Sequence, residues 1–221
     1  MRADLNAIVK WVEPGARVLD LGCGNGQLLR TLWEARRAPG YGVEIDDASV
    51  LACVENDVNV LQVDLESGLS LFADRSFDCV ILSETLQTIH RTELLMREML
   101  RVGREAVVSF PNFGHWSARL QVALGRMPVS ATLPYEWYET PNVHHCTITD
   151  FEDLCRRIGI RIRERLVLHD GRPVTVLPNL LGSLAVIYIC NQLASLMDGR
   201  LRFESSAGNG STFVLELPEL P

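Results

Sequence analysis

Three glycines at alternate positions, Gly22, Gly24 and Gly26, follow directly on the run Val18-Leu19-Asp20-Leu21 and precede Gln27-Leu28-Leu29-Arg30. Glycine takes positive φ without steric cost and lets a ligand reach backbone that any Cβ would shield. A strand, a glycine-rich turn and a helix in that order make a site for a nucleotide-type cofactor. The dinucleotide fingerprint would put a glycine at position 27, where the chain has Gln27, which disfavours a dehydrogenase. Glu44 stands eighteen positions past Gly26, near the spacing of about 20 at which such units carry a carboxylate for ribose hydroxyls. Asp64 ends a further apolar run. Taken singly, Glu44 and Asp64 are equally well ordinary strand-end carboxylates. In order behind the glycines they form a ligand signal. His90, His115, His144 and His145 are candidate bases, but none shows an orienting partner in the sequence, so no catalytic residue is assigned. His144-His145-Cys146 does not read as a metal centre, because adjacent strand residues face opposite ways and no second ligand cluster follows.

These side chains need a scaffold, and the periodicity supplies one. Val18–Leu21 reads as a first strand, Tyr41–Asp46 as a second, Asn59–Leu65 as a third and Phe77–Ser83 as a fourth. The near-continuous apolar content of the fourth suits a sheet covered on both faces. Leu28, Leu29, Leu32 and Trp33 recur at helical spacing before Pro39-Gly40, and Leu94, Leu95, Met99 and Leu100 form a stripe over Thr92–Arg101. Glu105–Phe110 is a fifth strand. Thr149 as N-cap with Glu152 three residues on predicts a helix that stops at Gly159. Ile160–Leu166 alternates as a half-exposed antiparallel strand, and Leu184–Cys190 is apolar throughout. Strands alternating with helices predict an α/β fold with a mostly parallel seven-stranded sheet ending in an antiparallel pair. Ligands of such sheets sit at the carboxyl ends of the strands, where the glycines, Glu44 and Asp64 converge.

The 221 residues suffice for one substantial core. With 28 acidic against 21 basic residues, the chain lacks the charge for a broad nucleic-acid surface. No apolar run is long enough to span a membrane, and the N-terminal residues show no signal core. The six cysteines are scattered without CxxC spacing, and Cys79 and Cys190 fall within strands. They read as buried reduced thiols, which places the protein in the cytoplasm. Residues 111–146 form a long connection rich in aromatics and proline, including Trp116, Tyr135, Trp137 and Tyr138. A segment of this kind is a lid, a pocket wall or an interface, unless its aromatics simply cap the core.

The alternating glycines resemble motif I of class I methyltransferases. Val18–Gly26, Tyr41–Asp46, Thr85-Leu86-Gln87, Ser109–Trp116, Leu133–Asn142 and Leu177–Gly182 together resemble the methionine biosynthesis protein MetW over residues 1–190. The resemblance implies a Rossmann-like methyltransferase fold and a site for S-adenosyl-L-methionine or S-adenosyl-L-homocysteine. The turn residues Gly22, Cys23, Gly24 and Gly26 would cradle the ligand and Asp20 would help hold its amino group. Glu44 with Ile45 would meet the ribose, and Asp64 with Leu65 the adenine, while Ser83 closes the site at the end of the fourth strand. It further implies work beside homoserine O-acyltransferase, of the acetyl or succinyl type, in methionine synthesis. The alternative is a methyltransferase acting on a small-molecule acceptor. Ser83-Glu84-Thr85-Leu86 stands where nucleic-acid amino methyltransferases carry an Asn/Asp-Pro-Pro-aromatic motif, which disfavours that substrate class. Glu84 departs from the glutamine of the family pattern and adds a negative charge there. Residues 191–221 resemble the end of a histidine-kinase ATPase domain without the nucleotide motifs that normally precede it. They read as an appended helix and hairpin, Leu201–Glu204 pairing with Thr212–Leu217 across a glycine-rich turn, without ATP activity.

Overall fold

In the computed structural model, residues 3–191, 200–205 and 211–216 are described. Four parallel strands, β1 (Val18–Leu21), β2 (Gly40–Glu44), β3 (Val60–Gln62) and β4 (Phe77–Ser83), lie side by side with β5 (Gly103–Pro111). The chain adds β6 (Ile160–His169), β7 (Arg172–Pro173) and β8 (Leu184–Asn191), giving the order β3-β2-β1-β4-β5-β8-β6-β7. β8 runs antiparallel to both β5 and β6. The strand order reverses between β1 and β4, a switch point of the kind at whose carboxyl ends open α/β sheets take their ligands.

Helices cover both faces. α1 (Ala3–Trp11), α2 (Gln27–Arg36) and α3 (Asp47–Glu55) pack Leu5, Ile8, Leu28, Leu32 and Cys53 against Val18, Ile81 and Val107. On the opposite face α4 (Thr92–Val102) and α6 (Ile148–Arg157) bury Met96, Met99, Phe151 and Cys155 against Leu19, Leu82 and Val108. Alternate strand residues thus feed two cores, as the period of two requires. α5 (Trp116–Ala123) lies in the long connection and α7 (Pro178–Leu181) leads into β8.

The sheet has eight strands rather than seven. The eighth, β7, is two residues long and returns on β6 through Asp170-Gly171, both at positive φ. This is the two-residue hairpin geometry that Asp-Gly favours. The cap of α6 is Thr147, not Thr149. Its hydroxyl accepts the Asp150 N–H at 3.2 Å and its own N–H donates to the Asp150 carboxylate at 3.0 Å. Both Thr-x-x-acid frames fit a capping box. The earlier frame wins because Ile148 is buried and its N–H is held by the side chains of Asn112 and Asn179, while Thr149 accepts from Asn179. β2 and β3 are also shorter than the apolar runs suggest. Asp46 leaves β2 to cap α3, and Asp64 leaves β3 to accept the Glu66 N–H of a 3-10 turn over Leu65–Ser67.

A separate two-stranded sheet pairs β9 (Arg200–Ser205) with β10 (Ser211–Glu216), with Leu201 opposite Leu215 and Glu204 opposite Thr212. The helix expected ahead of this hairpin and the glycine-rich turn within it lie outside the described residues.

Candidate functional site

The glycine turn leaves β1 with Gly22, Gly24 and Gly26 all at positive φ, and each serves a different end. A Cβ on Gly22 would fall 2.6 Å from the Thr85 hydroxyl, just past β4. One on Gly26 would meet Val58 at 2.9 Å. Both positions are close approaches of the turn to its own scaffold. At Gly24 a Cβ would meet nothing within 4 Å, so here the bare backbone faces open space. The sequence cannot separate these three roles, because the neighbours of Gly22 and Gly26 come from distant segments.

Glu44, the last residue of β2, closes on this turn. Its carboxylate accepts the Gly24 N–H at 2.8 Å, the Ile45 N–H at 2.8 Å and the Asp46 N–H at 3.2 Å. A carboxylate offers about four lone-pair positions, so the side chain is fixed in place with accepting capacity left for a hydroxyl. Glu44 pairs with Gln62 across β2 and β3, which sets Asp64 two residues further along the same edge. Asp64 is exposed there, and Leu65 packs against the core from the turn that follows. Ile45 is exposed beside Glu44.

The other expected residues sit deeper. Asp20 is buried in β1, and burial first, then the Asp20 charge, pushes the Cys79 thiol up to about 12. Cys23 turns its thiol to Cys53, Sγ to Sγ 3.7 Å, and its N–H to the Val43 carbonyl. Burial above all, and then Asp20, raises the Cys23 thiol far above its usual value. Cys23 therefore supports the turn from below rather than facing outward. All six cysteines are free thiols. Ser83 lies 3.1 Å from the Ser109 hydroxyl and 3.5 Å from the Asp4 carboxyl.

Beyond Ser83 the structure shows a site that the sequence did not assemble. A cavity of about 290 Å³ lies at the carboxyl ends of β4, β5 and β6, lined by Asp4, Glu84, His115, Ser117, His169 and Asp170 among others. Glu84 adopts φ 52°, and its N–H is held by the hydroxyl and carbonyl of Ser109. A non-glycine residue in this region is strained, and such strain gathers at functional sites. His115 has an orienting partner close by in the chain. Its Nδ1 lies 2.8 Å from the Ser117 hydroxyl and its ring stacks on His169 at 4.7 Å. Burial, with His169 beside it, holds the imidazole below its ordinary value and so neutral. Asn112 braces the wall, donating to the Asn179 and Gly182 carbonyls and accepting from the Gly114 and Ile148 amides. The other histidines lie apart from this cavity. His144 reaches the His90 carbonyl and His145 stacks on Phe113. Several larger grooves lie elsewhere, two of them of about 730 and 890 Å³. One runs between α4 and α6, the other at the amino ends of β1 and β2, and neither touches the glycine turn or Glu44.

The aromatics expected to cap the core from the long connection do not do so, although Ala118 and Leu133 of that segment are buried. Trp137 and Tyr138 are 69% and 65% exposed, and Trp116, Tyr135, Leu124 and Met127 are exposed as well.

The family model described as methionine biosynthesis protein MetW matches residues 2–189. The chain belongs to the MetW family. It is 39% identical over 176 residues to the bifunctional methionine biosynthesis protein MetXA/MetW of Rhodopirellula baltica, a match covering 75% of this chain and 28% of that one. It is 32% identical over 104 residues to a 2-phytyl-1,4-naphtoquinone methyltransferase of Synechococcus elongatus, covering 42% of this chain and 45% of the other. The chain thus spans less than half the length of these curated relatives. Among solved structures it resembles S-adenosylmethionine-dependent methyltransferases from Mesorhizobium loti and Archaeoglobus fulgidus. The first has a TM-score of 0.65 and 19% identity, covering 86% of this chain and 98% of that one. The second has a TM-score of 0.64 and 17% identity, covering 86% and 92%. The Rossmann-like methyltransferase fold of this MetW family member is established by that likeness. No helix among the described residues is long and apolar enough to cross a membrane.

Proposed function

We propose that this protein binds S-adenosyl-L-methionine or S-adenosyl-L-homocysteine at the glycine turn and supports homoserine O-acyltransferase in methionine synthesis by docking on it. The observation that carries the first half is the pairing of Gly24 with Glu44. The open face of Gly24 leaves room for the ligand, and the 2.8 Å bond from its amide aims a carboxylate at the same place. Glu44 would receive the ribose hydroxyls, Asp64 the adenine edge, and the backbone of the turn the methionyl portion. When bound, the sulfonium would supply an activated methyl group. The protein's own part is to orient it and exclude water.

The docking half rests on the exposed aromatics of residues 111–146. Trp116, Tyr135, Trp137 and Tyr138 supply the side-chain types that dominate interface energies, and exposed apolar surface of this kind marks an interaction site. The name of the Rhodopirellula relative, which couples MetXA with MetW, supports an acyltransferase as the partner. Acyltransferase turnover with and without this protein, at several concentrations of S-adenosylmethionine, is the test. A change in turnover that W137A/Y138A abolishes supports docking, and an unchanged turnover under every condition overturns it. The protein acts in the cytoplasm, where its free thiols stay reduced. Residues 1–190 are its working domain, and residues 191–221 are an appended fragment without a part in ligand binding.

A second reading has its own observation. The cavity lined by Glu84 and His115 adjoins the end of β4, next to Ser83. A methyltransferase holds its small-molecule acceptor in such a place.

A further inference from the structure

We propose that the groove between α4 and α6 is a binding site for a small amphipathic carboxylate, its hydrocarbon body on an apolar floor and its head group on Arg91. The groove does not touch the glycine turn or Glu44, so the inference stands apart from the reading above.

The floor is the first support. Leu86, Leu94, Cys146, Phe151 and Leu154 line the groove. Leu86 and Phe151 are core residues, whereas Leu94 is 44% exposed. Leu94 belongs to the apolar stripe that the sequence places on α4, yet Leu95, Met99 and Leu100 enter the core without it. Cys146 adds no charge, because burial and then Asp150 push its thiol up to about 12 and keep it protonated. The volume of about 730 Å³ falls within the range of ligand pockets, about 300–1,000 Å³, which pair a mainly apolar lining with a few placed polar groups.

The second support is the charge at the rim. Arg91, Arg97 and Arg157 line the groove against Glu93 and Asp150, three guanidinium groups to two carboxylates, in a chain whose net charge is −7. The Glu93 carboxylate already holds Arg97 at 3.1 Å and stands 3.9 Å from Arg157. That of Asp150 accepts the Thr147 N–H and hydroxyl at the start of α6. Glu66, close by, accepts the His90 N–H and faces the His90 ring. Arg91, just ahead of α4, is the cation left over. Its guanidinium has no hydrogen-bond or ion-pair partner among the described residues. A guanidinium at the edge of apolar surface takes a carboxylate through two parallel N–H bonds. An ammonium head group would meet repulsion there, and a neutral molecule would use the floor alone.

The test is a calorimetric titration of the full chain with octanoate, below the concentration at which it forms micelles. Octylammonium and octanol serve as the cationic and neutral forms of the same hydrocarbon. Saturable binding of octanoate is expected, at least about fivefold tighter than that of octylammonium. Hexanoate should bind about tenfold more weakly than octanoate, because two fewer methylenes leave water. Arg91→Gln should weaken octanoate by about threefold, in the range of an exposed ion pair, and leave octanol unchanged. Leu94→Gln, at an exposed position, should weaken both. In a carbon-13 spectrum the methyl signals of Leu94 and Leu154 should move when octanoate is added, and those of Leu28 should not. Absence of saturable binding, equal affinity for octylammonium, or indifference to Arg91→Gln overturns the proposal. Self-association that Leu94→Gln abolishes, without octanoate binding, also overturns it and gives the groove to a second copy of the chain.

Discussion

The two ends of the sheet's carboxyl edge are built differently. At the β1–β2 end the proposed ligand face is backbone: an open glycine and a carboxylate that is already bonded to three amides. At the β4–β6 end the face is side chains from α1, the β4 exit, the start of α5 and the β6–β7 hairpin. Backbone recognition is written into a short stretch of sequence, because the residues that shape a tight turn are neighbours in the chain. A side-chain cavity draws on residues more than a hundred positions apart, and only the folded topology joins them. The first end suits a ligand common to a whole fold, and the second is built from side chains particular to this chain.

The glycine triplet gives the sharpest contrast. Gly26→Ala adds a Cβ 2.9 Å from Val58 at a φ of +76° and should cost about 2–4 kcal/mol of stability, read by denaturant unfolding. Gly24→Leu carries a similar backbone strain of about 1–2 kcal/mol, but its side chain fills the ligand face. Its affinity for S-adenosylhomocysteine should fall by about 100-fold or more, near 2.7 kcal/mol. If both variants lose only stability, the two glycines do the same job and the open face of Gly24 has no meaning.

Asn112→Ala should act at the other end. It removes a buried amide that serves four backbone groups and should cost about 2–3 kcal/mol. Because the glycine turn does not touch Asn112, affinity for S-adenosylhomocysteine should stay within about twofold when measured well below the unfolding transition. Glu44→Gln reverses the pattern. It should lower that affinity by about tenfold through the loss of charged hydrogen bonds.

The smallest effect is one of pH. His115 and His145 are held below their ordinary value by burial, then by His169 and His144 respectively. The unfolded chain therefore takes up protons first as pH falls. Stability from these two groups is complete above their unfolded value of about 6.5 and declines below it, toward their lower folded values. Urea unfolding followed between pH 7.5 and pH 5 should show that decline, and His145→Asn should make it shallower. A stability that rises on acidification through this range contradicts the burial that holds these two imidazoles below their ordinary value.

How far the sequence could be read follows the same division. β1, β4 and the meeting of Glu44 with the glycines were legible, since strand period and short spacing determine them. The capping box of α6 was legible in kind but two residues out of register. Two Thr-x-x-acid frames overlap there, and only Asn112 and Asn179 choose between them. The two-residue β7 was hidden in an Asp-Gly pair, a strong hairpin signal with too short a strand beyond it to show a period. The early ends of β2 and β3 were missed because Asp46 and Asp64 look like strand residues until their side chains are seen capping the next turn. The Ser117 partner of His115 lies only two residues away, so that pairing was within reach, whereas His169 and Asp170 were not.

Calorimetric titration of the full chain with S-adenosylhomocysteine, run beside Gly24→Leu, decides whether the turn is a ligand site. Saturable binding at one site per chain, lost in the variant while its unfolding stays cooperative, is the expected result. No affinity for S-adenosylhomocysteine or S-adenosylmethionine in the unaltered chain, or equal affinity in the variant, would contradict it.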